Sequence, residues 1–145
     1  MVRIILGIIA GFVAWSIIWV GSDQVLVSSL DWYRQNQEGF AAAMFNKTAF
    51  EPNSTVLIMN IVRSIITSFM AGYLTAVIAG ENRRSTLVLG VILLAVGIMV
   101  EVMAWHYLPI WYHVLFLLLL IPVTIAGGKL KKFSNIGERQ AAGLQ

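Results

Sequence analysis

The chain has 145 residues, of which 59% are hydrophobic and 12% are charged, and its mean hydropathy is +0.81. A soluble domain carries about 25% charged residues, so this composition excludes a protein that faces water on all sides. The sequence has no cysteine, which excludes disulfides, thiolate metal sites and thiol catalysis.

Four apolar segments predict an all-α integral membrane protein, a bundle of four transmembrane helices. Each segment is close to the roughly 20 residues that a helix needs to cross a hydrocarbon core of about 30 Å. The predicted spans are residues 4–20, 55–80, 86–107 and 111–128. We therefore expect one transmembrane domain over residues 1–132, followed by a loose cytoplasmic tail over 133–145.

The first span is longer than the apolar core of a signal peptide and lacks a clear A-x-A cleavage site, so we interpret it as a retained helix. It carries Gly7 and Gly11, a spacing that lets another backbone approach closely. The outer loop, residues 21–54, mixes apolar and polar residues. This pattern predicts either an amphipathic helix in the membrane interface or a continuation of the first span. Three consecutive alanines favour a second short helix over 39–45.

The second span has a face made only of small residues, which recur every four positions. The residues of this small-residue face are Ser64, Ser68, Gly72, Ala76 and Gly80. Helices associate in lipid through such faces, because apolar burial does not drive them together there. We interpret the face as a packing surface within the bundle, and an interface with another subunit is the alternative.

Two ionisable residues lie inside predicted spans, where charges are costly and indicate function by default. At 1.5 Å per residue, Arg63 lies about 12 Å and Glu101 about 9 Å below the same membrane surface. We therefore predict an Arg63–Glu101 ion pair between neighbouring antiparallel helices. Asn60, Ser64 and Thr67 follow the i, i+3, i+4, i+7 pattern with Arg63 and should extend this polar cluster along one face.

Two histidines, His106 and His113, flank the predicted turn between the third and fourth spans. Three interpretations of the polar region stay open. It is a structural ion pair, or a ligand or proton site that opens outward and uses the titration of Glu101, or a place where His113 or His106 ligates haem or chlorophyll. No cofactor and no metal site is predicted, and haem or chlorophyll stays open only as the third of these interpretations.

The distribution of charge predicts the orientation. Seven of the ten basic residues precede the first span, join the second to the third, or follow the fourth: Arg3, Arg83, Arg84, Lys129, Lys131, Lys132 and Arg139. The outer loop carries four acids instead. By the positive-inside rule both termini are cytoplasmic, and the protein is expected in a cell membrane, the bacterial inner membrane.

No catalytic motif is found, so we expect a protein that is not an enzyme. The leading expectation is a structural or accessory subunit of a membrane complex, or a homo-oligomer, with lipid, other membrane subunits or itself as partners and no nucleic acid. The first alternative is a small transporter or channel that uses the Arg63/Glu101 cluster. The second is a haem- or chlorophyll-ligating subunit of an electron-transfer or photosynthetic complex.

Overall fold

The computed structural model describes residues 1–142, with side chains described as far as residue 131. The described chain forms five helices and no strand: α1 (Val2–Ser29), α2 (Asp31–Asn46), α3 (Ser54–Ala79), α4 (Arg84–Ala104) and α5 (Ile110–Ala142). Four helical segments are long and apolar enough to cross a membrane, namely α1, α3, α4 and Ile110–Lys131 within α5. The protein is therefore a multi-pass helical membrane bundle.

The first helix continues well past the predicted span and ends at Ser29. Leu30 then adopts an extended conformation, with φ −127° and ψ 105°, and the chain turns directly into α2. Of the two predictions for the start of the outer loop, the structure agrees with continuation of the first span. The short helix predicted over 39–45 is part of the longer α2, which ends where Lys47 takes a left-handed φ of 54°.

The third helix lies at the centre, with α1 packed on one side and α5 on another. A Cβ added to Gly72 would overlap the carbonyl oxygen of Thr124 in α5, and one added to Gly7 would lie 2.8 Å from the carbonyl oxygen of Thr75. These glycines therefore let the three backbones approach closely. Ser64, Ser68, Gly72 and Ala76 of the small-residue face are buried inside the bundle, whereas Gly80 ends α3 with a left-handed φ of 76°.

The last helix extends beyond the predicted span and runs to Ala142. The prediction of a loose tail differs from the structure over residues 133–142, which are helical. The segment ends in a run of strong helix formers, which together outweigh the single Gly137 that favoured a loose segment: Glu138, Arg139, Gln140, Ala141 and Ala142. Residues 143–145 lie outside the described residues.

One end of the bundle carries α2, the start of α3 and the turn between α4 and α5, and we call it the α2 end. Phe40 of α2 contacts Phe50 before α3 and Tyr107 in that turn, with ring centroids 5.5 and 6.0 Å apart. The α2 helix therefore covers this end of the bundle. The ionisable groups of the spans lie beneath it.

Candidate functional site

Arg63 is the centre of a polar network at the α2 end, although only 8% of it is exposed. Its Nη1 donates to three oxygens: Asp23 Oδ1 at 3.0 Å, Asn60 Oδ1 at 2.8 Å and the Tyr33 hydroxyl at 2.6 Å. Asp23 lies on α1 and Tyr33 on α2, so one guanidinium ties three helices together. Because Asp23 supplies the opposite charge, the network is close to neutral.

The other guanidinium nitrogens also have partners. Nε donates to Ser22 Oγ at 3.1 Å and Nη2 to the Trp19 carbonyl oxygen at 2.9 Å. The carbon between them lies 4.4 Å from the centre of the Trp19 ring, a cation–π distance. Each guanidinium nitrogen of Arg63 thus has a partner on α1, α2 or α3, and a buried charge is stable when it is paired and hydrogen-bonded in this way.

Tyr33 is fully buried and shares this network. Its hydroxyl accepts from Gln37 Nε2 at 2.9 Å and donates to Asp23 Oδ1 at 2.7 Å. Burial, together with the bond to Asp23, raises the pKa of Tyr33 to about 12. The phenol therefore stays protonated at physiological pH and keeps a hydrogen for the Asp23 carboxylate.

Glu101 does not pair with Arg63, so the predicted ion pair is wrong in its partners. In the described part of the chain the Glu101 carboxylate bonds instead to Nδ1 of His113, on α5. The helical rise placed Arg63 and Glu101 at similar depths, but depth does not fix the rotation of each helix about its axis. Packing turns Arg63 towards Asp23 and Glu101 towards His113.

The Glu101–His113 pair is buried, with 4% and 1% of the two residues exposed. Nε2 of His113 faces the Leu108 carbonyl oxygen at 3.2 Å, and that oxygen can only accept, so Nε2 carries a hydrogen. One further proton is then shared between Nδ1 and the carboxylate. Whichever group holds it, the pair is neutral overall. Trp105 stacks on the imidazole with centroids 4.8 Å apart.

A cavity of about 180 Å³ lies between the Arg63 network and the Glu101–His113 pair, beneath α2. Glu101 contributes its one carboxyl group, and Asn36, Gln37 and Asn60 contribute amides. The aromatic lining residues are Trp19, Phe40, Phe50, Tyr112 and Phe116. A mostly apolar cavity, lined by aliphatic and aromatic side chains with a few convergent polar groups, is the usual form of a small-molecule site.

The other residues predicted to carry function lie elsewhere. Ser64 and Thr67 are buried inside the bundle, and the Thr67 hydroxyl bonds to the carbonyl oxygens of Arg63 and Ser64 in its own helix. His106 is exposed and lines a separate surface groove with Lys47. The polar cluster therefore extends from Asn60 and Arg63 towards α1 and α2 rather than down α3.

Neither histidine has a ring nitrogen that is placed to ligate the iron of a haem or the magnesium of a chlorophyll. Both ring nitrogens of His113 have hydrogen-bond partners, so axial ligation would require breaking one of these bonds. His106 is exposed in its groove and is not brought together with His113. Among the described side chains, no three His, Asp or Glu residues come together as metal ligands.

Sequence reasoning missed Asp23 and Tyr33. The predicted first span ends at residue 20, which leaves Asp23 and Tyr33 in the predicted outer loop of residues 21–54, outside the bundle. One signal was available: Asp23 lies one helical turn after Trp19, so a continuous α1 puts both on the same face.

Comparison of the chain with protein families, with curated proteins and with solved structures gives no match.

Proposed function

We propose that the protein binds a small molecule in the cavity beneath α2 and that it is a binding protein rather than an enzyme. The observation that carries the proposal is the cavity itself, where five aromatic rings and one buried carboxyl group face the same space. Ionisable groups inside a membrane protein mark ligand or ion sites by default. Here the carboxyl group of Glu101 lines a space large enough for a ligand.

The charge distribution supports an orientation in which the α2 end faces away from the cytoplasm. Arg83 lies in the segment between α3 and α4, and Arg84 is the first residue of α4. Lys129 and Lys131 lie near the end of the α5 span, so all four basic residues are at the opposite end from α2. Under the positive-inside rule that opposite end is cytoplasmic. In a bacterial inner membrane, the ligand would then enter from the periplasm or from the outer leaflet.

The small-residue face offers less support for an accessory subunit or homo-oligomer than the sequence suggested. Most of it is in use inside the bundle, where Gly72 contacts α5 and Ser68 accepts a hydrogen bond of 3.2 Å from Trp15 of α1. A face covered in this way is not free for a partner. Binding through the cavity needs no second subunit.

Close packing at the opposite half of the bundle favours a blind pocket over a channel. A Cβ at Gly127 would overlap the carbonyl oxygen of Phe69, and one at Gly128 would overlap the side chain of Thr86. These contacts bring α5 directly against α3 and α4 at these two positions. A carrier would require these helices to separate during transport. We therefore propose that the protein binds its ligand without transporting it.

The test is to find what the native protein carries. The chain is purified in mild detergent from the membranes of the cell that makes it, and bound small molecules are identified by native mass spectrometry. Ala104→Leu fills the cavity, because Ala104 lines it and is 5% exposed. Ala95→Leu makes the same change on the exposed face of α4.

We expect a bound molecule in the wild-type protein and in Ala95→Leu, and its loss in Ala104→Leu. If the wild-type protein and Ala104→Leu carry the same molecules in the same amounts, the cavity is not a binding site and the proposal fails.

A further inference from the structure

We propose that the cavity beneath α2 takes a small organic cation with an aromatic or alkyl body, and that its binding expels the proton held between Glu101 and His113. The inference rests on the proposed function and adds the chemical class of the ligand and an exchange of charge. It follows from the groups that line the cavity and from how the buried pair holds its proton.

The lining of the cavity favours positive charge. Among the described residues that line it, Glu101 carries the one carboxyl group, and none is Lys, Arg or His. The only other ionisable side chain among these described lining residues is the phenol of Tyr112, on α5. A carboxylate exposed to a low-dielectric cavity attracts a cation and repels an anion.

The charged groups on the neighbouring helices cancel one another. Arg63 of α3 lies 3.0 Å from Asp23 of α1, which balances its charge. Tyr33 of α2 is a neutral phenol at physiological pH, as its raised pKa requires. On α4 and α5 the facing groups are Glu101 and His113 themselves. The charge that a ligand meets is therefore set by the protonation of this pair.

The proton count follows from charge balance. Without ligand, Glu101 and His113 share one proton and are neutral together. A cation that docks beside the carboxylate would give the buried site a net positive charge, which is costly inside a membrane protein. Release of the shared proton to bulk water, leaving a carboxylate, a neutral imidazole and the bound cation, restores neutrality. One cation therefore replaces one proton.

The aromatic lining suits the body of such a ligand. Cations bind over the faces of aromatic rings, and cages of several rings recognise quaternary ammonium groups. An apolar cavity of about 150 Å³ holds one benzene molecule. The cavity of about 180 Å³ therefore admits one ring with a short cationic group, well below the range of about 300–1,000 Å³ for drug-sized ligands.

The experiment compares three probes of similar size by isothermal titration calorimetry on the full chain in nanodiscs. Phenyltrimethylammonium is a permanent cation, so any proton released comes from the protein. The neutral probe is 2-phenylethanol and the anionic probe is 3-phenylpropanoate. Titrations are run between about pH 6 and pH 8, in buffers with different heats of ionisation, which yields the number of protons released per bound probe.

We expect phenyltrimethylammonium to bind most tightly and to release close to one proton. Its affinity should rise about tenfold per pH unit over the range in which the pair holds its proton. Glu101→Gln should remove both the binding and the proton release. Glu51→Gln, which removes an exposed carboxylate at the same end of the bundle, should leave both unchanged.

Cation affinity that does not change with pH, or binding without proton release, overturns the inference, and the wild-type protein alone supplies both measurements. A third outcome is that 2-phenylethanol binds more tightly than the cation and that Ala104→Leu abolishes this binding. That result would overturn the assignment of a cationic ligand but would still support the proposed function. If none of the probes binds, the cation assignment is wrong, and the native mass spectrometry decides the proposed function separately.

Discussion

The hydroxyl of Tyr33 provides a specific test of how α2 is held on the bundle. We predict that Tyr33→Phe lowers the free energy of unfolding by about 1.5–3 kcal/mol, the range for a hydrogen bond to a charged group. The ring is fully buried and keeps its packing in this substitution, so no cavity forms. The change therefore isolates the hydrogen bonds.

The magnitude follows from the partners that remain. The hydroxyl lies 2.6 Å from Arg63 Nη1, 2.7 Å from Asp23 Oδ1 and 2.9 Å from Gln37 Nε2, and it donates one bond and accepts two. After its removal Arg63 still bonds to Asp23 at 3.0 Å and to Asn60 at 2.8 Å. The buried charge keeps its partners, so the loss corresponds to about one charge-assisted bond rather than the sum of three.

The assay is reversible unfolding of the purified protein in mixed micelles with increasing SDS, followed by tryptophan fluorescence. Tyr73→Phe is the matched control, because Tyr73 is 41% exposed on the surface of α3. We expect the control to change the free energy of unfolding by less than about 0.5 kcal/mol. A loss for Tyr33→Phe no greater than that of the control would refute the role given to this network.

The same residue predicts a dependence on alkaline pH. The pKa of Tyr33 rises from 10.0 to about 12 on folding, chiefly through burial and the bond to Asp23. Between these values the unfolded chain has lost the phenolic proton and the folded chain retains it, so stability falls as pH rises. The difference in unfolding free energy between wild type and Tyr33→Phe should therefore shrink from pH 10 to about 12. A constant difference across this range would contradict the assignment.

Two further predictions concern packing and capping away from the cavity. Gly72→Ala should destabilise the bundle by about 1–3 kcal/mol or more, because the new Cβ overlaps the Thr124 carbonyl oxygen, whereas Gly21→Ala meets nothing within 4 Å and should be neutral or stabilising in the same SDS titration. Glu81→Gln should weaken the start of α4 by about 0.5–2 kcal/mol, since the Glu81 carboxylate accepts from the backbone amides of the first turn at 2.9 and 3.1 Å. Burial raises the pKa of Glu81, but the hydrogen bonds to the backbone amides outweigh burial and lower the pKa below 4.5. The effect of Glu81→Gln should therefore be present above pH 4.5 and disappear as acid protonates the carboxyl group of the folded protein. An effect independent of pH would contradict the capping role.

The sequence predicts the spans well because their signal is local. A run of about 20 apolar residues has one stable solution in lipid, whatever the rest of the chain does. Helix ends are predicted less well. The predicted end of the first helix at residue 20 marks where the apolar run stops, but hydrophobicity does not determine where a helix ends. The first helix continues to Ser29. The polar residues after Val20 leave the membrane core without leaving the helix.

The partners in the candidate site could not be read from the sequence. Helical rise gives the depth of Arg63 and of Glu101, and both were placed near the same membrane surface. Rotation about each helix axis is set by which small residues let the backbones approach, as Gly72 does with Thr124. That choice depends on all the helices at once. The depth of a buried charge therefore limits its possible partners to residues at a similar depth in the membrane. Helix packing then determines which of these residues it contacts.

The separate pairing of the two ions has a consequence for what the cavity can do. If Arg63 had paired with Glu101, two permanent opposite charges would have closed the space between them, and a nearby guanidinium would have kept the carboxylate ionised. Pairing with His113 instead gives Glu101 a partner that can itself lose a proton. Arg63 and Asp23 then act as a fixed clamp for α1, α2 and α3, and the charge on the cavity wall is left free to change. The fixed Arg63–Asp23 ion pair therefore lies on one side of the cavity, and the Glu101–His113 pair, which shares a proton, lies on the other. The proposed release of a proton on ligand binding requires both: a structure that stays fixed and a pair whose charge can change.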